Sequence, residues 1–211
     1  DISFAVSQVS QYTFGPNNSH ELAIEQIGHY LKGTIDKGLI SKSNLKETTF
    51  KIDVYVDATF ASCWGTELGS NPDSVKSRTG YIVEVMGCSV IWCSKLQPYI
   101  DTSTMESEYT ALSMALRAAI MAVTASLNKG LNFTATKFLQ FKKTIHEDNM
   151  GALKLAHLEP GHNTHHSKFY ALKLHWFRSW LKPKEIEIIH CPTKDQKADF
   201  LTKPLTQTNF E

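Results

Sequence analysis

Asp57, Glu108, Asp148 and Asp199 sit in four separate segments, each at the edge of an element that the surrounding sequence predicts. Carboxylates collected from distant parts of a chain are how proteins hold hard divalent cations, and pairs of such cations cut phosphodiester bonds. Taken singly, each acid has an ordinary explanation. An Asp that ends a strand is usually a turn or cap residue, and an acid in the first turn of a helix is favoured by the helix dipole. Only their joint placement points to chemistry, so the elements that carry them decide.

The stretch FKIDVYVDATF alternates apolar and polar residues, many β-branched, and predicts a strand with Asp57 near its end. A polar loop containing Gly65, Gly69, Pro72 and Asp73 leads to TGYIVEVMG and CSVIWCSK, two strands joined by a tight turn at Gly87. Met105, Tyr109, Leu112, Leu116, Ile120 and Val123 recur at three and four, which predicts a long helix N-capped by Thr102, Ser103 or Thr104. Glu108 lies one turn before Leu112 and so faces inward near the helix start; Glu106 is its nearest rival. KTIHED reads as a strand ending at Asp148, and NMGALKLAHL as a short helix. The loop PGHNTHH precedes a second long helix, SKFYALKLHWFRSWL, stopped by Pro183. EIEIIHC is a last strand and QKADFLTK a last helix carrying Asp199. Ahead of all these, HELAIEQIGHYLKG predicts a helix over 20–33, and the polar run at 41–49 marks a boundary.

Three strands, a helix, a strand, helices, a strand and a helix imply an α/β mixed sheet with helices on both faces. A right-handed crossover sets the Asp57 and Asp148 strands side by side, so that their carboxylates meet at one sheet edge. The 211 residues suffice for one domain with a sizeable core and a short appendage. With a net charge of +1, any nucleic-acid contact must come from a local patch. No apolar run approaches the roughly 20 residues that span a bilayer, so no membrane role is expected. The opening DISFAVSQVS lacks a basic n-region and a long apolar core, unlike a signal peptide, and the missing initiator Met suggests a fragment of something longer. Cys63, Cys88, Cys93 and Cys191 show no C-x-x-C spacing; they read as reduced thiols of a cytosolic or nuclear protein.

The blocks YVDATFAS, RTGYIVEVMGCSVIWCSKLQ, STMESEYTALSMALRAA, HEDNMGALKLA and PTKDQKADFLTKPL together resemble the ribonuclease H region of copia-type LTR retrotransposon Pol polyproteins. Residues 1–50 resemble the C-terminal thumb and connection part of the same elements' reverse transcriptase, leaving 51–211 as the RNase H-like domain. The resemblance implies an RNase H fold with a five-stranded mixed sheet. It implies a metal-dependent endonuclease that cuts the RNA strand of an RNA–DNA hybrid, working beside the rest of the reverse transcriptase in the cytoplasm, in a virus-like particle, or in the nucleus. By motif, Asp57, Glu108, Asp148 and Asp199 are its acids. Two Mg²⁺ ions are the implied cofactor, with Mn²⁺ able to substitute and no small-molecule cofactor. In that arrangement Asp57 bridges the ions, Glu108 and Asp148 hold the one nearer the leaving group, and Asp199 holds the one that activates water.

Thr104 and Asn149 flank these acids and either bind the hybrid, through its backbone or a 2′-hydroxyl, or cap helices. His157, His162, His165 and His166 lack zinc-ligand spacing. Trp176, Phe177 and Trp180 read as core, with His175, Arg178 and Lys182 on a more exposed side able to touch phosphates. The chain also departs from the family pattern: Cys63 stands for a usual Asp, His166 for Arg, Phe169 for His, and Ala119 for a common Glu. A catalytically decayed remnant that at most binds hybrid therefore stands as the alternative. An integrase-like nuclease is disfavoured, because its last acid should be Glu.

Overall fold

The computed structural model describes residues 1–42, 49–62, 72–120, 140–158, 171–181 and 185–205. Five strands form one sheet: β1 (Thr49–Thr59), β2 (Arg78–Val85), β3 (Cys88–Leu96), β4 (Gln140–Glu147) and β5 (Ile186–His190). Their order is β3-β2-β1-β4-β5. β1 and β2 are antiparallel, as are β2 and β3, whereas β4 runs parallel to β1 and β5 parallel to β4. The chain is thus α/β with the five-stranded mixed sheet expected from its sequence, and β1 lies beside β4 as expected.

Alternation along β1 builds the core. Phe50, Ile52, Val54 and Val56 are buried on one face. Helix α3, Thr104–Ala115, lies over them through Tyr109, Ala111, Leu112 and Ala115. Phe177 meets the Tyr109 ring edge-on at 5.2 Å. The β2–β3 hairpin turns on two residues, Met86 (φ +53°) and Gly87 (φ +80°), the pair of positive φ angles that a type I′ loop demands. Gly87 takes this geometry freely. Met86 does not, and is held in place by β1, since its amide donates to the Lys51 carbonyl at 3.0 Å.

Helix α3 starts where expected, and of the three cap candidates Thr102, Ser103 and Thr104 it is Ser103 that caps it. The Ser103 hydroxyl accepts from the Glu106 amide at 3.2 Å, and the Glu106 carboxylate reaches back to the Thr102 amide and hydroxyl, both at 2.9 Å. The helix is regular only to Ala115 and widens to a π-turn over Leu116–Ile120; Val123 lies outside the described residues.

Four further helices are described. α1 (Ser3–Ser10) was not anticipated from the sequence; α2 (Asn18–Gly33) was, and a capping box at Asn17 and His20 starts it. α4 spans Met150–His157 and α5 spans Ala171–Leu181. Helix α1 is tied to the sheet by Arg78, a fully buried cation. Its guanidinium donates to Ser7 Oγ at 2.7 Å, to Gln8 Oε1 at 2.5 Å and to Ser94 Oγ at 3.2 Å, and lies over the Phe4 ring. Most of the polar boundary at 41–49 lies outside the described residues, as does the loop at 159–170.

The last expected helix is a correction. Over QKADFLTK the chain forms only a 3₁₀ turn at Asp199–Leu201, preceded by another at Thr193–Asp195. Side chains take the place of a helical ladder there. Gln196 Oε1 accepts from the Ala198 amide at 3.2 Å while Gln196 Nε2 donates to the Val56 carbonyl at 2.8 Å, and Pro204 has no amide to continue the turn.

Candidate metal centre

Val56 pairs with Glu147 across the parallel β1–β4 ladder, so Asp57 and Asp148 are the next residues at the carboxyl edge of two adjacent strands. Clefts at the carboxyl ends of parallel strands are where α/β sheets bind ligands. Glu108, on the second turn of α3, comes down onto this edge. One ligand oxygen each from Asp57, Glu108 and Asp148 lies within 4.8 Å of the others. Asp57 is 4% and Glu108 5% exposed. Glu106, the rival, is committed to the helix cap.

Burial and like charge strain this cluster. Burial pushes the Asp57 carboxyl up to about 6; the Thr202 hydroxyl and Lys203 oppose the rise, while Asp199 and Asp148 add to it. Burial likewise raises Glu108, with Glu147, Asp57 and Asp148 adding to it against the Ala58 amide. Glu147 is also raised well above the carboxylate range, first by burial. Glu108 Oε2 and Glu147 Oε2 are buried with no hydrogen-bond partner among the described residues. The unpartnered oxygen of Glu108, buried within the three-acid cluster, suits a hard divalent cation, which would supply the missing charge.

The fourth acid behaves differently. Asp199 is close enough to act on Asp57, but it is not among the three converging oxygens. Its Oδ1 faces Lys203 Nζ at 2.9 Å. The turn that bears it is pressed onto the sheet: Thr202 Oγ1 donates to Asp57 Oδ2, and Ser94 Oγ donates to the Leu201 carbonyl at 2.6 Å.

Asn149 caps α4, its Oδ1 accepting from the Gly151 and Ala152 amides at 2.8 and 3.0 Å. Thr104 is exposed on the first turn of α3, and its carbonyl accepts from Ser107 Oγ at 2.7 Å. Thr193 Oγ1 donates to Asp148 Oδ2 at 3.1 Å. Phe177 is fully buried and Trp176 and Trp180 pack against the core, as expected. Arg178 is a correction: instead of facing solvent it is 7% exposed and donates to the Leu155 carbonyl at 2.7 Å. His175 is exposed, His157 Nδ1 bonds the Leu153 carbonyl at 2.9 Å, and Cys63, His162, His165, His166, Phe169 and Lys182 lie outside the described residues.

Sequence reasoning missed Glu147, Gln196, Thr202 and Lys203. A signal existed for Glu147, because alternation with Ile145 turns it inward. For Gln196, Thr202 and Lys203, whose contacts are set by tertiary packing, there was none.

No family model matches the chain. It is 32% identical over its whole length to the retrovirus-related Pol polyprotein from transposon RE1 of Arabidopsis thaliana, covering 13% of that polyprotein. To the corresponding polyprotein from transposon TNT 1-94 of Nicotiana tabacum it is 28% identical over its whole length, covering 14%. Among solved structures it is similar to LC11-RNase H1 in complex with an RNA/DNA hybrid, at a TM-score of 0.45 and 16% identity, over 71% of this chain and 92% of that one.

Proposed function

The homologues of this chain are retrovirus-related Pol polyproteins of plant transposons, and from that premise we propose that it is the ribonuclease H of such an element, hydrolysing the RNA strand of RNA–DNA hybrids during reverse transcription. The observation that carries this reading is the convergence of Asp57, Glu108 and Asp148 at the carboxyl edge of β1 and β4. Residues 1–50 are then the end of the polymerase, and the rest of the Pol polyprotein is the partner in cis. Since the chain spans about one-eighth of its relatives' length, most of the hybrid affinity is assigned to that remainder, in keeping with a net charge of +1.

Bound Mg²⁺ supplies a Lewis acid for the scissile phosphate and a nucleophilic water at neutral pH. Asp57, Glu108 and Asp148 hold the cation and Asp199 extends the acidic field toward Lys203. Burial of Asp57 and Glu108 keeps bulk water from screening their charge, so the cation is held by a strong local field. Asn149 and Thr193 fix the loop that bears Asp148, one by capping α4 and the other by bonding the carboxylate. Thr104, exposed one turn before Glu108 on α3, is available to the hybrid backbone or a 2′-hydroxyl. Asp57→Asn tests the assignment: it should abolish cleavage of a labelled hybrid while leaving the circular dichroism spectrum unchanged, and full activity would refute it.

A further inference from the structure

Among the described residues, Asp199 is the one acid of the four with a basic side chain at ion-pair distance. Lys203 Nζ lies 2.9 Å from Asp199 Oδ1. The backbone fixes the turn that makes that contact, because the Lys203 and Thr202 amides both donate to the Asp199 carbonyl at 3.1 Å. Thr202 also donates to Asp57, so Lys203 follows directly on a residue bonded to the metal cluster. At Asp57 the Lys203 charge acts more strongly than that of Asp199 or of Asp148 taken singly. The neighbouring Lys197 does not compete for this position. It is paired with both oxygens of Glu84 at 2.8 Å and lies over the Tyr55 ring.

We propose that Lys203 is a resident counter-ion at the second cation position: Asp57, Glu108 and Asp148 take the first divalent ion, and a second reaches Asp199 only by displacing the Lys203 ammonium. The proposal rests on the metal-centre reading above and specifies how that centre is regulated. Before substrate arrives the site holds one divalent ion and one ammonium. A scissile phosphate changes the balance, because it brings oxygen ligands for a second ion and an alternative anionic partner for Lys203. The centre is thereby completed only when there is something to cut.

Calorimetric titration of the whole chain with Mn²⁺ tests this without any activity readout. The wild type should bind one ion tightly and a second weakly. Lys203→Met, with Lys203→Gln as a second variant, should tighten the second step by about fivefold, the scale expected for removing one partly exposed competing ion pair. Lys142→Met should not, since Lys142 pairs with the exposed Glu187 at 3.3 Å, away from the site. Adding Asp199→Asn should erase the gain. If Asp148→Asn loses the tight ion but both Lys203 variants leave the second step unchanged, the metal centre stands and the counter-ion role is overturned. If the wild type binds no Mn²⁺, both readings fall together.

Discussion

Gly80 stands directly opposite Asp57 in the antiparallel register of β1 and β2. A Cβ at Gly80 would come within 2.7 Å of Thr202 Cγ2 and 2.8 Å of Leu201 Cβ. The missing side chain is what lets the Asp199 turn lie flat on the sheet, close enough for Thr202 to bond Asp57. One glycine therefore couples the strand that carries the first acid to the turn that carries the last.

Gly80→Ala should force that turn off the sheet. The expected cost is about 1–3 kcal/mol of stability, typical of overpacking, together with weaker Mn²⁺ binding. Urea unfolding and metal titration of the same variant check both effects. Unchanged stability would mean that the turn relaxes freely.

The buried acids make stability depend on pH, with a defined sign. The Asp57 carboxyl titrates at about 6 in the folded chain against an ordinary value of 3.8. Between these values the folded state binds more protons than the unfolded one, so stability falls as pH rises through the interval. Asp57→Asn removes this penalty. In EDTA at pH 7 it should be more stable than wild type by up to about 3 kcal/mol, and the gain should shrink toward zero near pH 4. Urea midpoints at the two pH values measure it.

Arg178 separates packing from substrate contact. It is buried and bonded to the Leu155 carbonyl, where α5 meets α4. Arg178→Ala should destabilise the chain by about 2–3 kcal/mol, whereas the affinity of the folded variant for RNA–DNA hybrid should not change. A loss of hybrid affinity without loss of stability would return this residue to the substrate face.

The sequence was most legible where local pattern and tertiary role agree. Phe50, Ile52, Val54 and Val56 announce β1 by alternation, and the crossover rule then places β4, and with it Asp148, beside Asp57. Glu108 was legible because Leu112, one turn on, fixes the buried face of α3. The C-terminal turn was not, since ADFLTK reads equally well as helix and only Gln196, bonded to β1 from 140 residues away, dictates otherwise. Arg178 was misjudged for a similar reason. A cation on an amphipathic helix reads as solvated until a buried carbonyl is found to accept from it. Helix α1 was missed because its anchor, Arg78, is 70 residues downstream.

The most direct measurement is cleavage of a hybrid labelled on its RNA strand, with Mg²⁺ or Mn²⁺, by the wild type and by Asp148→Asn side by side. The account predicts metal-dependent cutting of the RNA strand by the wild type, none by the variant, and none of single-stranded RNA by either. A folded wild-type chain that binds Mn²⁺ yet leaves the hybrid intact even at hybrid concentrations that saturate it would contradict it and favour a decayed remnant; equal cutting by both proteins would contradict the placement of the site.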